Sequence, residues 1–503
     1  MSRFIQTGII LLITAIFASG SAFAQPYYVS ITGSDSHTGT LNNPFRTIEK
    51  AVTVVQPGET IYVRGGTWNL TATITLGKSG AENSRITLQA YPGEIPVLDF
   101  SSQALGGSNR GVVLTGNWWH IKGLRITGAG DNGMLITGGS NNLVEQCSFY
   151  RNRDSGLQLD NGATGNYIRN CDSYFNADPP DYGDADGFAP KLTVGTGNQF
   201  FGCRAWRNCD DGWDGYLRGA NDVSTVLENC WAFENGFFEN GTDAGVNANG
   251  NGFKMGGSDD KTLMHNFTLK NCLAFGNKTK GFDQNNNKGS MTLYNCTGHD
   301  NDVDNYRISQ TLAEGKILTL KNCAELGGRV SIGTFAVQEK NSWLTPFIVT
   351  TDDFRSLDQT GATGARKSDG TLPHMEYMHL AAGSDQIDAG VNLGLPFAGT
   401  APDLGCFETG LTAIRTSSPE QQAILYPNPV TETGYLRFNA PASGSCEVIL
   451  FDITGKQVAT LASFHVEPGE VNITLDFGGI REGIYFYEIK VNSGRLSVGR
   501  LVR

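Results

Sequence analysis

Apolar residues recur along this chain in short alternating runs, and the clearest register runs through its middle. An apolar residue stands three positions before each of seven cysteines: Val144 before Cys147, Ile168 before Cys171, Phe200 before Cys203, Leu227 before Cys230, Leu269 before Cys272, Leu293 before Cys296 and Leu320 before Cys323. Five residues after the first six cysteines stand Asn152, Asn176, Asn208, Asn235, Asn277 and Asn301, with Gly328 in the seventh place. An internal repeat of this size marks a solenoid. Each repeat predicts a strand ending near the cysteine, a turn at the asparagine and a strand led by a glycine. Asparagine suits the turn because it tolerates left-handed backbone and bonds its own main chain. Stacked asparagines can also bond one another along the axis. Long helical periodicity is missing, so the strands must pair coil to coil, each about 4.8 Å from the next. The fold class is therefore all-β, a parallel β-helix followed by a different, smaller domain.

The domain reading is residues 1–24 as a leader, 25–410 as the β-helix, 411–423 as a polar linker and 424–503 as a β-sandwich. Ile48 to Val55 suits a short helix that caps one end of the solenoid, as terminal repeats must. Residues 330–408 are expected to finish and cap it. Residues 424–503 show evenly spaced alternating strands with turn signals. This tail resembles the C-terminal sorting domain of the type IX secretion pathway, on Tyr426-Pro427-Asn428-Pro429, Asp452-Ile453-Thr454-Gly455, Gly483-Ile484-Tyr485 and a basic end. The resemblance implies the type IX secretion machinery as a partner, and a secreted or cell-surface address.

The leader agrees with that address. Arg3, an apolar run from Ile9 to Phe17 and Ala22-Phe23-Ala24 read as a secretory signal peptide. The run is too short to argue for a spanning helix. The chain has 503 residues, 64 glycines and a net charge of −12. An acidic balance argues against nucleic acid as a partner. It also gives no general attraction to an anionic polysaccharide, so such a substrate needs local cations or a metal. The in-register cysteines read as stacked buried hydrophobes, with a disulfide between neighbouring coils left open, and their spacing is not a zinc pattern. A monomer is expected.

The repeat breaks in two places. Between the turn asparagine and the next glycine lie three residues in most coils, but ten from Asn176 to Gly187 and sixteen from Asn235 to Gly252. Extra residues on a solenoid loop out on one face, and that face often binds. The two insertions flank the coil that carries Asn208-Cys209-Asp210-Asp211-Gly212-Trp213-Asp214. The residue after each glycine is apolar and reads as inward: Leu157, Phe188, Trp213, Phe253, Phe282 and Tyr306. The next residue points outward by strand alternation, giving a column of Gln158, Ala189, Asp214, Lys254, Asp283 and Arg307. Asp186 holds the place equivalent to Asp211 one coil earlier.

Asp186, Asp210, Asp211 and Asp214 repel one another unless a cation is present, and an all-oxygen cluster suits Ca²⁺. The plainer reading is a solvated acidic turn with a charge ladder down one face. A neutral Lys254 beside such a cation is a competent base for a carbon-bound proton. Loss of the C4 oxygen from a uronic acid then completes β-elimination without water. Lys191 and Arg307 could meet a substrate carboxylate, and Asn249 and Asn251 could shape the turn before the base. Trp206 and His299 share a column with Tyr150, Tyr174, Phe233 and Phe275 and read as structural. A glycoside hydrolase would use paired carboxylates, so a hydrolase, a uronan epimerase or a non-catalytic glycan-binding protein stays open on residue types.

The stretches "DADGFAPKL", "GCRAWRNCDDGWDGY" and "NGNGFKMGG" resemble the signature of polysaccharide lyase family nine, the pectate lyases built on a right-handed parallel β-helix. The resemblance covers roughly residues 27–330. It implies calcium on Asp186, Asp210, Asp211 and Asp214, Lys254 as the base, and polygalacturonate or pectin as the acidic polysaccharide cleaved. The loop before Lys254 is slightly longer than the family pattern.

Overall fold

The computed structural model describes residues 26–410 and, from 423 onward, all but 427–429, 441–442, 453–455, 468, 482 and 493. The leader with Ala22-Phe23-Ala24, the connector 411–422, Pro427-Asn428-Pro429 and Ile453-Thr454-Gly455 lie outside the described residues. The chain forms two compact units, Met1–Gly410 and Leu411–Arg503.

The first unit is a β-helix of three parallel sheets with twelve, ten and ten strands. One coil shows the plan: Leu143–Glu145 in the first sheet, Ser148–Tyr150 in the second and Leu157–Asp160 in the third. The sequence predicts two strands per repeat, and the structure adds a third, three residues long, between cysteine and asparagine. The reason is a pair of tight corners. The residue before the cysteine and the residue before the asparagine are left-handed, as at Gln146 (φ 52) and Arg151 (φ 53), and again at Asn229 (φ 53) and Glu234 (φ 52). The ladder asparagines themselves do not take left-handed backbone, contrary to expectation.

Their amides are buried instead. Asn152 Nδ2 donates to Asn176 Oδ1 at 3.0 Å, and the chain of bonds runs on through Asn208, Asn235, Asn277 and Asn301 at 2.8–3.0 Å. Each oxygen also accepts a main-chain N–H from the coil before, as from Asn152 and Asn235 at 3.1 Å. The ladder ends on Asn305, the asparagine that replaces a turn glycine, at 2.8 Å from Asn301. Buried polar groups satisfied in this way fix how one coil sits on the next. All ten cysteines are free thiols, and the seven of the repeat are buried. Inside the third sheet Phe188, Trp213, Phe253, Phe282 and Tyr306 stack with centroids 4.7–5.2 Å apart. The first coil is closed by a helix, Ile48–Val54, whose first turn is capped by the Thr47 side chain.

Residues 330–408 do not simply cap the far end. Val330–Ile332 and Val337–Glu339 add the last strands, and the chain then folds back over the outer face of the second sheet. That face carries Tyr174, Trp206, Phe233 and Phe275, stacked at 4.3–5.6 Å. So much apolar area needs cover. Phe354, Met375, Tyr377, Met378 and Leu380 supply it, and Tyr377 bonds His299. Arg366 anchors the strap to Asp172 at 2.7 Å and to the Cys171 carbonyl at 2.9 Å. Arg204 grips Asp172 from the other side at 2.8 Å. Trp206 is therefore core, but of a second core outside the coil interior.

The second unit is a β-sandwich. Ile424–Tyr426, Thr433–Ala440 and Gly469–Asp476 form one antiparallel sheet. Gln457–Val466, Gly444–Asp452, Ile484–Val491 and Gly494–Val502 form the other. Leu436 and Phe438 pack against Val448, Leu450 and Ile489 between them.

Asn235→Ala removes the acceptor of Asn208 and the donor to Asn277 at one step. Because both partners are buried, the loss is expected to be about 2–4 kcal/mol. A denaturant titration of the β-helix should show a lower midpoint with an unchanged slope.

Candidate active site

The third sheet positions the chemistry. Its consecutive strands include Phe188–Pro190, Trp213–Asp214, Phe253–Lys254, Lys280–Asp283 and Asp304–Ile308. Trp213 pairs with Phe253 and Asp214 with Lys254. Lys254 in turn pairs with Asp283, and Asp283 with Arg307. The outward column thus stands in the register expected.

The two insertions meet each other behind the aspartate turn. Tyr182 of the first touches Phe238 of the second, ring centroids 4.9 Å apart. Ala185, Cys209, Ala244 and Ala248 are buried together beneath them. Asp178 organises the first loop, accepting N–H groups of Ala185 at 3.0 Å and of Gly183 and Asp184 at 3.2 Å. The Cys209 thiol donates to the same carboxylate at 3.1 Å.

Asp186, Asp211 and Asp214 converge. One carboxylate oxygen of each lies within 4.8 Å of the others, and all three residues are buried. Asp186 accepts from Ser155 Oγ at 3.1 Å and from the Asp211 N–H at 3.2 Å. Asp211 Oδ1 accepts from Asn251 N at 2.7 Å and Asn251 Nδ2 at 2.8 Å. Asp214 Oδ1 accepts from the Tyr216 N–H at 3.0 Å. Asp210 is also buried but turns to Asn249, whose N–H it accepts at 2.5 Å, and it stands outside the close trio.

Two ammonium groups face the trio. Lys254 Nζ lies 3.0 Å from Asp211 Oδ2 and 3.4 Å from Asp214 Oδ1. Lys191 Nζ lies 2.7 Å from Asp186 Oδ2 and 3.7 Å from Asp214 Oδ2. Asp211 Oδ2 has no partner other than the Lys254 ammonium. The Lys254 ammonium also sits over the Tyr216 ring, 5.7 Å from its centroid. Asp283, a neighbour in the column, is engaged by Lys280 at 2.9 Å.

The charges are crowded. Burial, then repulsion from Asp211, holds Asp210 well above the carboxylate range, and burial likewise raises Asp186 and Asp211. Burial works against the Lys254 ammonium, yet the carboxylates of Asp211 and Asp214 overcome it and raise its pKa well above the ordinary lysine value. Lys191 is raised for the same reason, Asp186 leading. The donor set is carboxylate oxygen throughout, Asp211 Oδ2 is met by Lys254 alone, and burial, with repulsion between the carboxylates adding to it, raises three pKa values. Such a set fits a hard divalent cation.

Sequence reasoning missed Ser155, Asp154 and Asp178. Asp154 is pushed up to about 6 by burial, with Asp131 adding to the effect. Asn249 and Asn251 do shape the turn, by bonding to the aspartates. Arg307 lies on the site's face with its side chain 45% exposed, 3.4 Å from Asp304.

The family described as "Pel9A-like, right handed beta helix region" matches residues 27–322. The chain belongs to this family. Pectate lyase L of Paenibacillus polymyxa (strain SC2) is 41% identical over 409 residues, 76% of this chain and 88% of that protein. Pectate lyase L of Dickeya chrysanthemi is 39% identical over 401 residues, 78% of this chain and 92% of that protein. The crystal structure of pectate lyase Pel9A superposes with a TM-score of 0.71 at 39% identity, covering 76% of this chain and 96% of that one. Residues 424–502 match the secretion system C-terminal sorting domain. The protein is therefore secreted or held at the cell surface. No helix among the described residues is long and apolar enough to cross a membrane.

The raised carboxyls set a sign for pH. A carboxyl whose folded pKa is raised stabilises the fold below its unfolded pKa, about 3.9, and that contribution is lost as pH rises through the folded value. The two lysines, also raised, lose theirs only in the alkaline range. In chelator, the melting temperature of Asp186→Asn relative to wild type should therefore climb as pH rises from about 4 to 7. A flat difference would contradict the crowding.

Proposed function

We propose that this chain, a polysaccharide lyase by family, is a calcium-dependent pectate lyase that cleaves polygalacturonate by β-elimination with Lys254 as the base. One observation carries the reading: the only ammonium in the outward column next to Asp214 is Lys254, and it reaches both Asp211 and Asp214 from the adjacent coil.

Asp186, Asp211 and Asp214 would hold the cation, with Asp210 beside them in the same turn. A divalent cation held there supplies positive charge to a uronate carboxylate and so makes the neighbouring C5 proton more acidic. Lys254 Nζ takes that proton. The C5–H electrons become the C4–C5 double bond, the C4–O bond breaks, and the departing glycosidic oxygen gains a proton from solvent. No water is consumed.

The residues also account for how a lysine becomes a base. As long as Asp211 and Asp214 face Lys254 alone, they keep it an ammonium. Once their charge is engaged elsewhere, the remaining influence is burial, which lowers an amine's pKa. Lys254 is only 8% exposed, so that influence is strong. Asn251 and Ser155 keep the carboxylates aimed inward meanwhile. Lys191 lies 2.7 Å from Asp186 and 3.7 Å from Asp214, so it helps hold the acidic turn together.

Polygalacturonate incubated with the protein and calcium should give an unsaturated product that absorbs in the ultraviolet, and chelator should stop it. Lys254→Ala should lower kcat by about 10²- to 10⁴-fold with the β-helix circular dichroism unchanged. Wild-type rates in that variant would refute the assignment.

A further inference from the structure

Starting from the coil next to Lys254, the third sheet opens into a cleft of about 330 Å³, lined by Lys280, Asp283, Asp304, Arg307 and Arg329 among others. We propose that this cleft is a separate anion subsite: it takes the carboxylate of a second uronate unit on the same polysaccharide chain and rejects its methyl ester. The proposal rests on the lyase reading above.

Register gives the direction. Lys254 pairs with Asp283 and Asp283 with Arg307, so Arg307 stands two coil spacings along the face, about 9.6 Å. A chain lying over Lys254 along the helix axis passes directly over this cleft, about two sugar rings on.

Charge gives the ligand. The two carboxylates in the cleft are already answered from within the protein. Asp304 is fully buried and accepts from Arg329 Nε at 2.6 Å, Arg329 Nη2 at 3.1 Å, Ser331 Oγ at 3.0 Å and Arg307 Nη1 at 3.4 Å. Asp283 is held by Lys280 at 2.9 Å and by the Asn285 N–H at 3.2 Å. Three cations against two carboxylates leave a positive excess. The guanidinium side chains stay open to solvent, 45% exposed for Arg307 and 59% for Arg329. On a chain of net charge −12, a polyanion needs such a local cluster to be drawn down. A guanidinium binds a planar carboxylate with paired, charge-assisted hydrogen bonds. An ester offers only a weak carbonyl acceptor and no charge.

Arg307 is the residue to change, because Arg329 alone satisfies Asp304 with two bonds. Arg307→Gln should raise KM for fully de-esterified polygalacturonate about tenfold, and raise it more than it lowers kcat. KM for heavily methyl-esterified pectin should move far less, and Arg307→Lys should recover part of the loss. Equal changes on both substrates, or none, would overturn the subsite. Calorimetric binding of de-esterified hexagalacturonate to wild type and Arg307→Gln separates the two readings. Weaker binding in the variant supports the cleft even if no unsaturated product forms, and equal binding removes it even if the enzyme is active.

Discussion

Everything at the site depends on one coil sitting on the next without slip. The constraint is the buried amide ladder, in which the asparagine oxygens from Asn176 onward receive both a side-chain and a main-chain N–H from the preceding asparagine. A strand shifted by one residue would turn every outward side chain inward. Here it would bury Lys254 in the place of Phe253 and leave the amides unpaired. The sixteen residues between Asn235 and Gly252 enter and leave at the turn, between the ladder amide and the stacked aromatic. Their number does not affect register, so Lys254 still lands opposite Asp214.

The rigid frame makes an otherwise unfavourable cluster possible. Buried like charges repel, and a buried ion pair often fails to recover the cost of leaving water. The carboxylates here are held apart from solvent by strands whose own stability comes from stacked aromatics and the ladder. Lys191 and Lys254 offset part of the charge, and burial still raises the carboxyl pKa values of Asp186, Asp210 and Asp211, with repulsion among the carboxylates adding to it. The same carboxylates that would hold a cation keep Lys254 protonated without one.

Much of this was legible in the chain. The cysteine and asparagine spacing gave the solenoid, and the residue after each glycine gave both the inward stack and the outward column. Alternation alone therefore found Asp214, Lys254, Asp283 and Arg307 on one face. Three things were not legible. The short second-sheet strands, at three residues each, carry too little alternation to announce themselves, so the aromatic face of Tyr174, Trp206 and Phe233 was read without its cover. The strap over it has no repeat, and its anchor, Arg366 to Asp172, joins residues far apart in sequence. The roles of Ser155 and Asp178 depend on how loops pack, which periodicity does not encode.

The loops also explain why the chain interrupts its repeat beside this coil alone. The main chain of the aspartate turn is held by the coil before it: Cys209 N–H donates to the Asn176 carbonyl at 2.9 Å, Asp210 N–H to the Ala185 carbonyl at 3.1 Å and Asp211 N–H to Asp186 at 3.2 Å. The first insertion folds around Asp178, which gathers three N–H groups and the Cys209 thiol. The second lays Ala244 and Ala248 against the same thiol and ends in Asn249 and Asn251, which bond Asp210 and Asp211. The turn is thus clamped from its apolar side by one insertion and from its polar side by the other.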